Sequence, residues 1–254
     1  MPAVLQTTPY LKYVIHASLK PEHLKPEHTP EDIMYPVITE FLGESKVPRE
    51  RFLVYPQLAL PWNPDHPEDR REEIPDFAVG NFDLTNAPHF KIRAGAEVKR
   101  AIPIMLDLPE PPAIEDDESV KIAFHGLFYQ AEDQAKSAMK GGSNLTVPMP
   151  FFLFVGPYWA SVRFRSFTDA QLTVRTHKPS NSGDFIEATR AQTRLMSNPM
   201  RRRLYLLGTD ASRNELERVI ATTDQAAQPL VLAALNFQCM PIFASALTSR
   251  LTDE

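Results

Sequence analysis

The sequence predicts an α/β protein, because β-like runs and helical segments follow one another along one chain of 254 residues. Three short β-rich runs fall between residues 51 and 100. A long segment at 119–140 repeats its apolar residues at helical spacing, and an apolar run at 151–155 follows it. Hydrophobic residues make up 43% of the chain, which is enough to bury one large core. We therefore expect a single domain over residues 1–254.

Composition argues against several classes of site and of protein. Cys239 is the only cysteine, which excludes an internal disulfide and a cysteine-based zinc site and predicts an intracellular protein. Residues 1–11 lack the basic and apolar segments of a secretory signal, so secretion is not expected. The most apolar stretch, 147–155, is far shorter than the ~20 residues that cross a bilayer. No membrane partner is expected.

Charge is unevenly distributed along the chain, whose net charge is −5. Residues 1–150 carry 15 Lys and Arg against 23 Asp and Glu, or −8, whereas residues 151–254 carry 12 against 9, or +3. A basic surface from the second half would suit a polyanion. The candidate cations, for each of which solvated surface charge is an equal alternative, are Arg163, Arg165, Arg175, Lys178 and Arg201–Arg203.

The first predicted elements are a helix and a strand. Thr29 and Pro30 are typical of an N-cap and a first helical residue, and Gly43 is typical of a stop, so we expect a helix to about residue 42. Glu40 lies beside its apolar stripe. A strand at 51–60 follows.

The polar residues of the next two β-like runs indicate chemistry. Asp76 lies in the run 73–80, and Glu97 and Lys99 lie in the run 91–100. Because side chains alternate along a strand, Glu97 and Lys99 share one face. Two carboxylates from neighbouring strands form a hard oxygen site suited to Mg²⁺ or Mn²⁺. A lysine beside them can orient a water or balance phosphate charge.

Pro75-Asp76 followed by Glu97-x-Lys99 resembles the motif of the PD-(D/E)XK nuclease superfamily, which has the restriction-endonuclease-like fold. The resemblance implies an α-β-β-β-α-β core with a central mixed sheet flanked by helices, here over about residues 30–166. It also implies a Mg²⁺- or Mn²⁺-dependent nuclease that acts on nucleic acid, either DNA or RNA. The sequence leaves open whether two copies associate as a homodimer.

The resemblance assigns a role to each residue of the motif. Asp76 and Glu97 would hold the metal ion, and the Val98 carbonyl would add a ligand. Many members carry a further metal-binding glutamate on the helix before the first strand, and Glu40 is the residue here that matches it. Lys99 would position the attacking water.

A crossover and a long helix follow the site strands. The acidic, proline-rich segment 103–118 is expected to be a mobile loop. The helix at 119–140 carries Gln130 and Gln134 one turn apart on its flank. The exonuclease-like branch of the superfamily has a glutamine there and a tyrosine four residues later, so Gln134 departs from that pattern. Both are predicted to contact the site or the nucleic acid, with plain surface as the alternative.

The last third begins with a hairpin and continues as a mainly helical extension. Strands at 151–155 and 159–165 are predicted, and the second puts Arg163 and Arg165 on one face, where they are candidates for contacting nucleic acid. The extension covers about residues 180–254. Its predicted elements are helices at 184–196, 214–223 and 229–235 and a short strand at 204–207.

Three hypotheses of function follow. The first is a metal-dependent nuclease that hydrolyses phosphodiester bonds. The second is a catalytically silent module of the same fold that binds nucleic acid or protein. The third is an α/β scaffold that binds protein through segment 103–118.

Overall fold

The computed structural model describes most of the chain from residue 32 to residue 224, together with a few helical residues before it. The described residues are 12, 14, 15, 17, 19, 32–43, 53–62, 71–83, 89–140, 148–164, 167–176 and 203–224. Among them, no helix has both the length and the apolarity that a membrane crossing requires.

A mixed six-stranded sheet lies at the centre of the described fold, in the spatial order β1-β4-β5-β6-β7-β8. Only β5 and β6 run parallel, and every other neighbouring pair is antiparallel. A separate two-stranded ribbon joins β2 and β3. The strands are β1 (Leu53–Pro56), β2 (Leu60–Pro61), β3 (Glu72–Glu73), β4 (Phe77–Asp83), β5 (His89–Lys99), β6 (Met149–Val155), β7 (Tyr158–Phe164) and β8 (Tyr205–Leu206).

Helices cover both faces of the sheet, as the α/β prediction required. They are α1 (Tyr35–Gly43), α2 (Glu118–Lys140), α3 (Asp169–Leu172) and α4 (Asp210–Asp224). On the α2 face of the sheet, the apolar stripe of the long helix packs against alternate strand residues such as Leu153. The opposite face packs α1 and α4 on the intervening residues, such as Phe152. The parallel step from β5 to β6 needs a long crossover, which α2 provides.

The apolar stripe of α1 anchors that helix to the sheet. Val37, Ile38 and Phe41 are buried, and the ring centroid of Phe41 lies 5.4 Å from that of Trp159 and 6.1 Å from that of Phe154. Burying one such phenylalanine contributes about 1.5–3 kcal/mol. A short 3₁₀ turn at Asp32–Met34 precedes α1. The predicted helix is therefore confirmed from residue 32 onward, and its predicted cap lies outside the described residues.

The C-terminal half of α2 is enclosed on every side, unlike a surface helix. All residues from 131 to 138 are buried, the charged Glu132, Asp133 and Lys136 among them. The Nζ of Lys136 lies 3.5 Å from a carboxylate oxygen of each of these acids and donates to the Val174 carbonyl at 2.9 Å. Asp133 accepts the Thr176 N–H at 2.7 Å. Segment 167–176 is thus fastened across the outer side of α2.

The prediction that segment 103–118 is a mobile loop is wrong about its packing. Met105 and Ile114 are buried in the core on the α2 face. The hydroxyl of Tyr158 donates to the Pro109 carbonyl at 2.5 Å, and Glu115 accepts the Leu204 N–H at 2.8 Å. The composition of this segment gave the wrong prediction, because a few buried apolar residues and two hydrogen bonds are enough to dock an acidic, proline-rich segment.

The predicted strands are present, but their ends differ from the predicted ones. The predicted strand 51–60 divides into β1 and β2, because Gln57 turns the chain with φ +48°. β4 continues past the end of the predicted run 73–80, and β5 begins before the predicted run 91–100, since the two strands pair as far as Asp83 and His89. The predicted hairpin is confirmed as β6 and β7.

The described part of the C-terminal extension belongs to the same sheet and core. β8 pairs with β7, and Leu216, Val219 and Ile220 of α4 pack on the α1 face. The predicted helix at 214–223 and strand at 204–207 are confirmed as α4 and β8. The predicted helices at 184–196 and 229–235 lie outside the described residues, as does Cys239.

The turn between β6 and β7 depends on a glycine. Gly156 has φ +52°, and an added Cβ would lie 2.7 Å from the Ala101 Cβ. We expect Gly156→Ala to lower the free energy of unfolding, measured by urea denaturation, by about 1–3 kcal/mol. Gly126→Ala is the matched control, because nothing lies within 4 Å of its added Cβ in α2, and it should instead stabilise by about 0.5–1 kcal/mol. Equal effects of the two substitutions would contradict this account of the turn.

Candidate active site

The pairing of β4 with β5 brings Asp76 and Glu97 together. Phe77 pairs with Ala96, so the preceding residue, Asp76, lies across from Glu97. The Asp76 N–H donates to Glu97 Oε1 at 3.3 Å. The two residues that the sequence placed on neighbouring strands are therefore adjacent in the structure.

Both carboxylate oxygens of Asp76 accept hydrogen bonds from fixed donors. The Tyr35 hydroxyl donates to Oδ1, and the Val98 N–H donates to Oδ2 at 2.7 Å. Tyr35 belongs to α1 and Val98 to β5. The Asp76 carboxylate consequently joins the first helix to the central strand, and its orientation is set by both.

Glu97 is enclosed on the α2 side of the sheet, with a relative exposure of 0%. Its Oε1 accepts the side-chain N–H of Gln134 from α2. The other oxygen, Oε2, is buried and makes no hydrogen bond to any described residue, and the same holds for Gln134 Oε1. Two buried acceptors without a donor are costly, and a cation or a proton would satisfy them.

Burial raises the pKa of Glu97 well above its ordinary value of 4.5, and the nearby charge of Asp76 raises it further. The hydrogen bonds from Gln134 and from the Asp76 N–H, and the charge of Lys99, act in the opposite direction on this pKa. A divalent cation between the two acids would oppose both causes of the raised Glu97 pKa. Its positive charge would compensate the negative charge on Glu97 that burial and the neighbouring Asp76 disfavour.

Lys99 lies at the end of β5, on the face that carries Glu97, as the alternation predicted. Its side chain is half-buried. The Lys99 carbonyl accepts the Gly156 N–H at 2.9 Å, so the β6–β7 turn holds the backbone from which this cation projects. The charge of Lys99 acts on Glu97, where it lowers the pKa.

The remaining predicted ligands have different surroundings. The side chain of Val98 is buried on the α1 face, and its N–H binds Asp76. Glu40 is half-buried on α1, five residues after Tyr35 and about 140° around the helix axis from it. Tyr35, which the sequence did not single out, is the α1 residue whose contact with Asp76 is seen. The metal-binding roles of the Val98 carbonyl and of Glu40 stay predictions.

Of the two predicted glutamines, Gln134 reaches the site. Its side-chain N–H also contacts the Ile74 carbonyl at 3.3 Å, so it bridges Glu97 and the segment that leads to Asp76. Gln130 is half-buried one turn earlier. Because the described contacts of Gln134 are to a carboxylate and a backbone carbonyl, they indicate a role in holding the site rather than in binding substrate.

Arg163 lies on the other face of the sheet from Glu97. Ala160, Val162 and Phe164 face α2, so Arg163 faces α4, where its charge acts on Glu215. It is also two strands away from β5, or about 10 Å. Alternation predicted two faces for β7 without showing which of them turns toward the site. Arg165 lies outside the described residues.

A buried ion pair supports the segment that carries Asp76. Arg175 pairs with Glu73, three residues before Asp76, and lies 5.5 Å from the ring centroid of Trp62. The Nζ of Lys140 lies over the same ring at 3.7 Å. The sequence offered Arg175 only as a surface cation, and nothing in the spacing of these residues could have revealed their contact.

The side chains present fit a cation that retains part of its water shell. Within the described ranges, no three His, Cys, Asp or Glu side chains come together. The adjacent pair, Asp76 and Glu97, offers two carboxylates, and Mg²⁺ commonly takes one or two from a protein while it keeps several waters. The comparisons with protein-family models, with curated proteins and with solved structures find no match for this chain.

Proposed function

We propose that this chain is a metal-dependent nuclease that hydrolyses phosphodiester bonds in nucleic acid. The observation that carries the proposal is the meeting of Asp76 and Glu97, with a buried Glu97 oxygen that no described donor satisfies. Lys99 on the same face supports it, as does the resemblance of this motif to that of PD-(D/E)XK nucleases.

Asp76 and Glu97 would hold Mg²⁺ or Mn²⁺. Both Asp76 oxygens accept hydrogen bonds from protein donors, and a carboxylate oxygen can accept such a bond and bind a metal ion at the same time. Glu97 would contribute Oε2. When bound, such an ion supplies a Lewis acid that stabilises negative charge on the attacked phosphate.

The protein residues supply orientation and charge. Gln134 holds Glu97 Oε1, so that Oε2 keeps one direction. The Lys99 ammonium would stabilise the negative charge that grows on the phosphate oxygens. In the net reaction, a water oxygen bonds to phosphorus and the bond from phosphorus to one ester oxygen breaks. The water gives up a proton, and the departing alkoxide gains one.

The test is cleavage of labelled single-stranded DNA, double-stranded DNA and RNA by the full-length chain. We expect cleavage of at least one substrate with Mg²⁺ or Mn²⁺ and none with EDTA. An Asp76→Asn preparation, purified in parallel, controls for contaminating nucleases. Failure to cut any of the three substrates with either metal would overturn the proposal. Mn²⁺ binding without cleavage would instead favour a binding module of the same architecture.

A further inference from the structure

The geometry points to Tyr35 as a positioning residue for Asp76, a role that rests on the proposed metal site. Tyr35 is the first residue of α1 and is half-buried, and its hydroxyl donates to Asp76 Oδ1. No motif indicated it, because a helix residue and a strand-start residue 41 positions apart in the sequence meet only in the folded chain.

Packing fixes the place of the Tyr35 hydroxyl. The Tyr35 ring meets the Phe77 ring edge to face, with centroids 5.1 Å apart and planes at 67°. Phe77 directly follows Asp76, so the ring against which Tyr35 packs and the carboxylate to which its hydroxyl donates belong to consecutive residues. A hydroxyl that is held by ring packing, on a helix whose apolar stripe is buried against the sheet, has the rigidity that a supporting residue needs.

The Tyr35 hydroxyl sets the plane of the Asp76 carboxylate. A carboxylate held at one oxygen can still turn about the bond to its Cγ, because that torsion has a broad minimum. The Val98 N–H holds Oδ2, and Tyr35 holds Oδ1 from the side of α1. With both oxygens held, the Asp76 carboxylate keeps one orientation next to Glu97, and ligand orientation of this kind governs metal affinity.

The test measures Mn²⁺ affinity of full-length protein by calorimetry, together with the melting temperature. We expect Tyr35→Phe to weaken Mn²⁺ binding by about 10- to 100-fold and to lower kcat, with KM for nucleic acid unchanged. Tyr205→Phe is the matched control, because it also removes the hydroxyl of a half-buried tyrosine but lies on β8 at the far edge of the sheet. It should leave Mn²⁺ affinity unchanged.

A double variant separates positioning from a general structural effect. If Tyr35 acts through Asp76, then in an Asp76→Ala background Tyr35→Phe should change neither the Mn²⁺ affinity nor the melting temperature any further. Wild-type Mn²⁺ affinity in Tyr35→Phe would overturn the role of Tyr35 while leaving the nuclease proposal intact. A wild-type protein that binds no Mn²⁺ would overturn both, so the two failures are distinguishable.

Discussion

The Asp76→Asn variant is expected to lose Mg²⁺-dependent cleavage by about 10³-fold, because one of the two carboxylates proposed to hold the ion becomes a neutral amide. The variant should also be less stable than the wild type. The Tyr35 hydroxyl and the Val98 N–H both need an acceptor at this position, and an asparagine offers a single oxygen. The cost of leaving one donor unsatisfied is about 1–3 kcal/mol.

Initial cleavage rates at saturating Mg²⁺, combined with urea denaturation, measure both effects. Asp107→Asn is the matched control, since Asp107 is exposed on the crossover segment and the substitution makes the same change of charge. The control should cleave at the wild-type rate. A rate for Asp76→Asn within about tenfold of the wild type would contradict a metal-binding role for Asp76.

The Glu97→Gln variant is expected to abolish cleavage while raising stability at neutral pH, the opposite stability effect to Asp76→Asn. Glu97 is buried beside Asp76, and these two causes raise its pKa. Ionising this group inside the protein is therefore costly. A glutamine has the same shape, can keep the contact with Gln134, and carries no charge, so the cost disappears.

The difference in stability should depend on pH in one direction. The folded-state pKa of Glu97 lies above its ordinary value of 4.5, so the folded protein holds a proton that the unfolded chain has released. Wild-type stability is therefore lost as pH rises from about 4.5 through the folded-state pKa, by about 1.4 kcal/mol for each pH unit between the two pKa values. Glu97→Gln removes this loss.

Thermal unfolding of both proteins between pH 4 and pH 8, without divalent cations, measures the effect. The two melting temperatures should converge at the acid end and separate progressively toward neutrality. Adding Mg²⁺ at neutral pH should raise the melting temperature of the wild type and not that of the variant. A constant difference across the pH range would contradict an ionisable, buried Glu97.

Local patterns predicted the elements and part of the site. The alternation of β5 was enough to place Glu97 and Lys99 on one face, and helical spacing was enough to find α2 and the flank that carries Gln134. These features depend on residues close in sequence. The period of a strand or a helix fixes their relative directions before any tertiary contact forms.

Contacts between distant segments could not be predicted in this way. Tyr35 reaches Asp76 only because α1 docks on the sheet, and Arg175 reaches Glu73 only because segment 167–176 crosses α2. Arg163 shows the same limit. Alternation along β7 predicted which residues share its face, but it could not predict that α4 covers that face. Each outcome depends on packing, which no single stretch of sequence encodes.

The enclosure of α2 bears on where this chain can be cut. A truncation after residue 166, where the sequence placed the end of the core, would remove Val174 and Thr176, which bind Lys136 and Asp133. It would strip away the partner of Glu73 as well. In the shortened protein, water would reach two turns of α2 whose residues are buried in the intact chain. The smallest autonomous unit therefore extends past that point, and a minimal fragment should retain the residues that lie across α2.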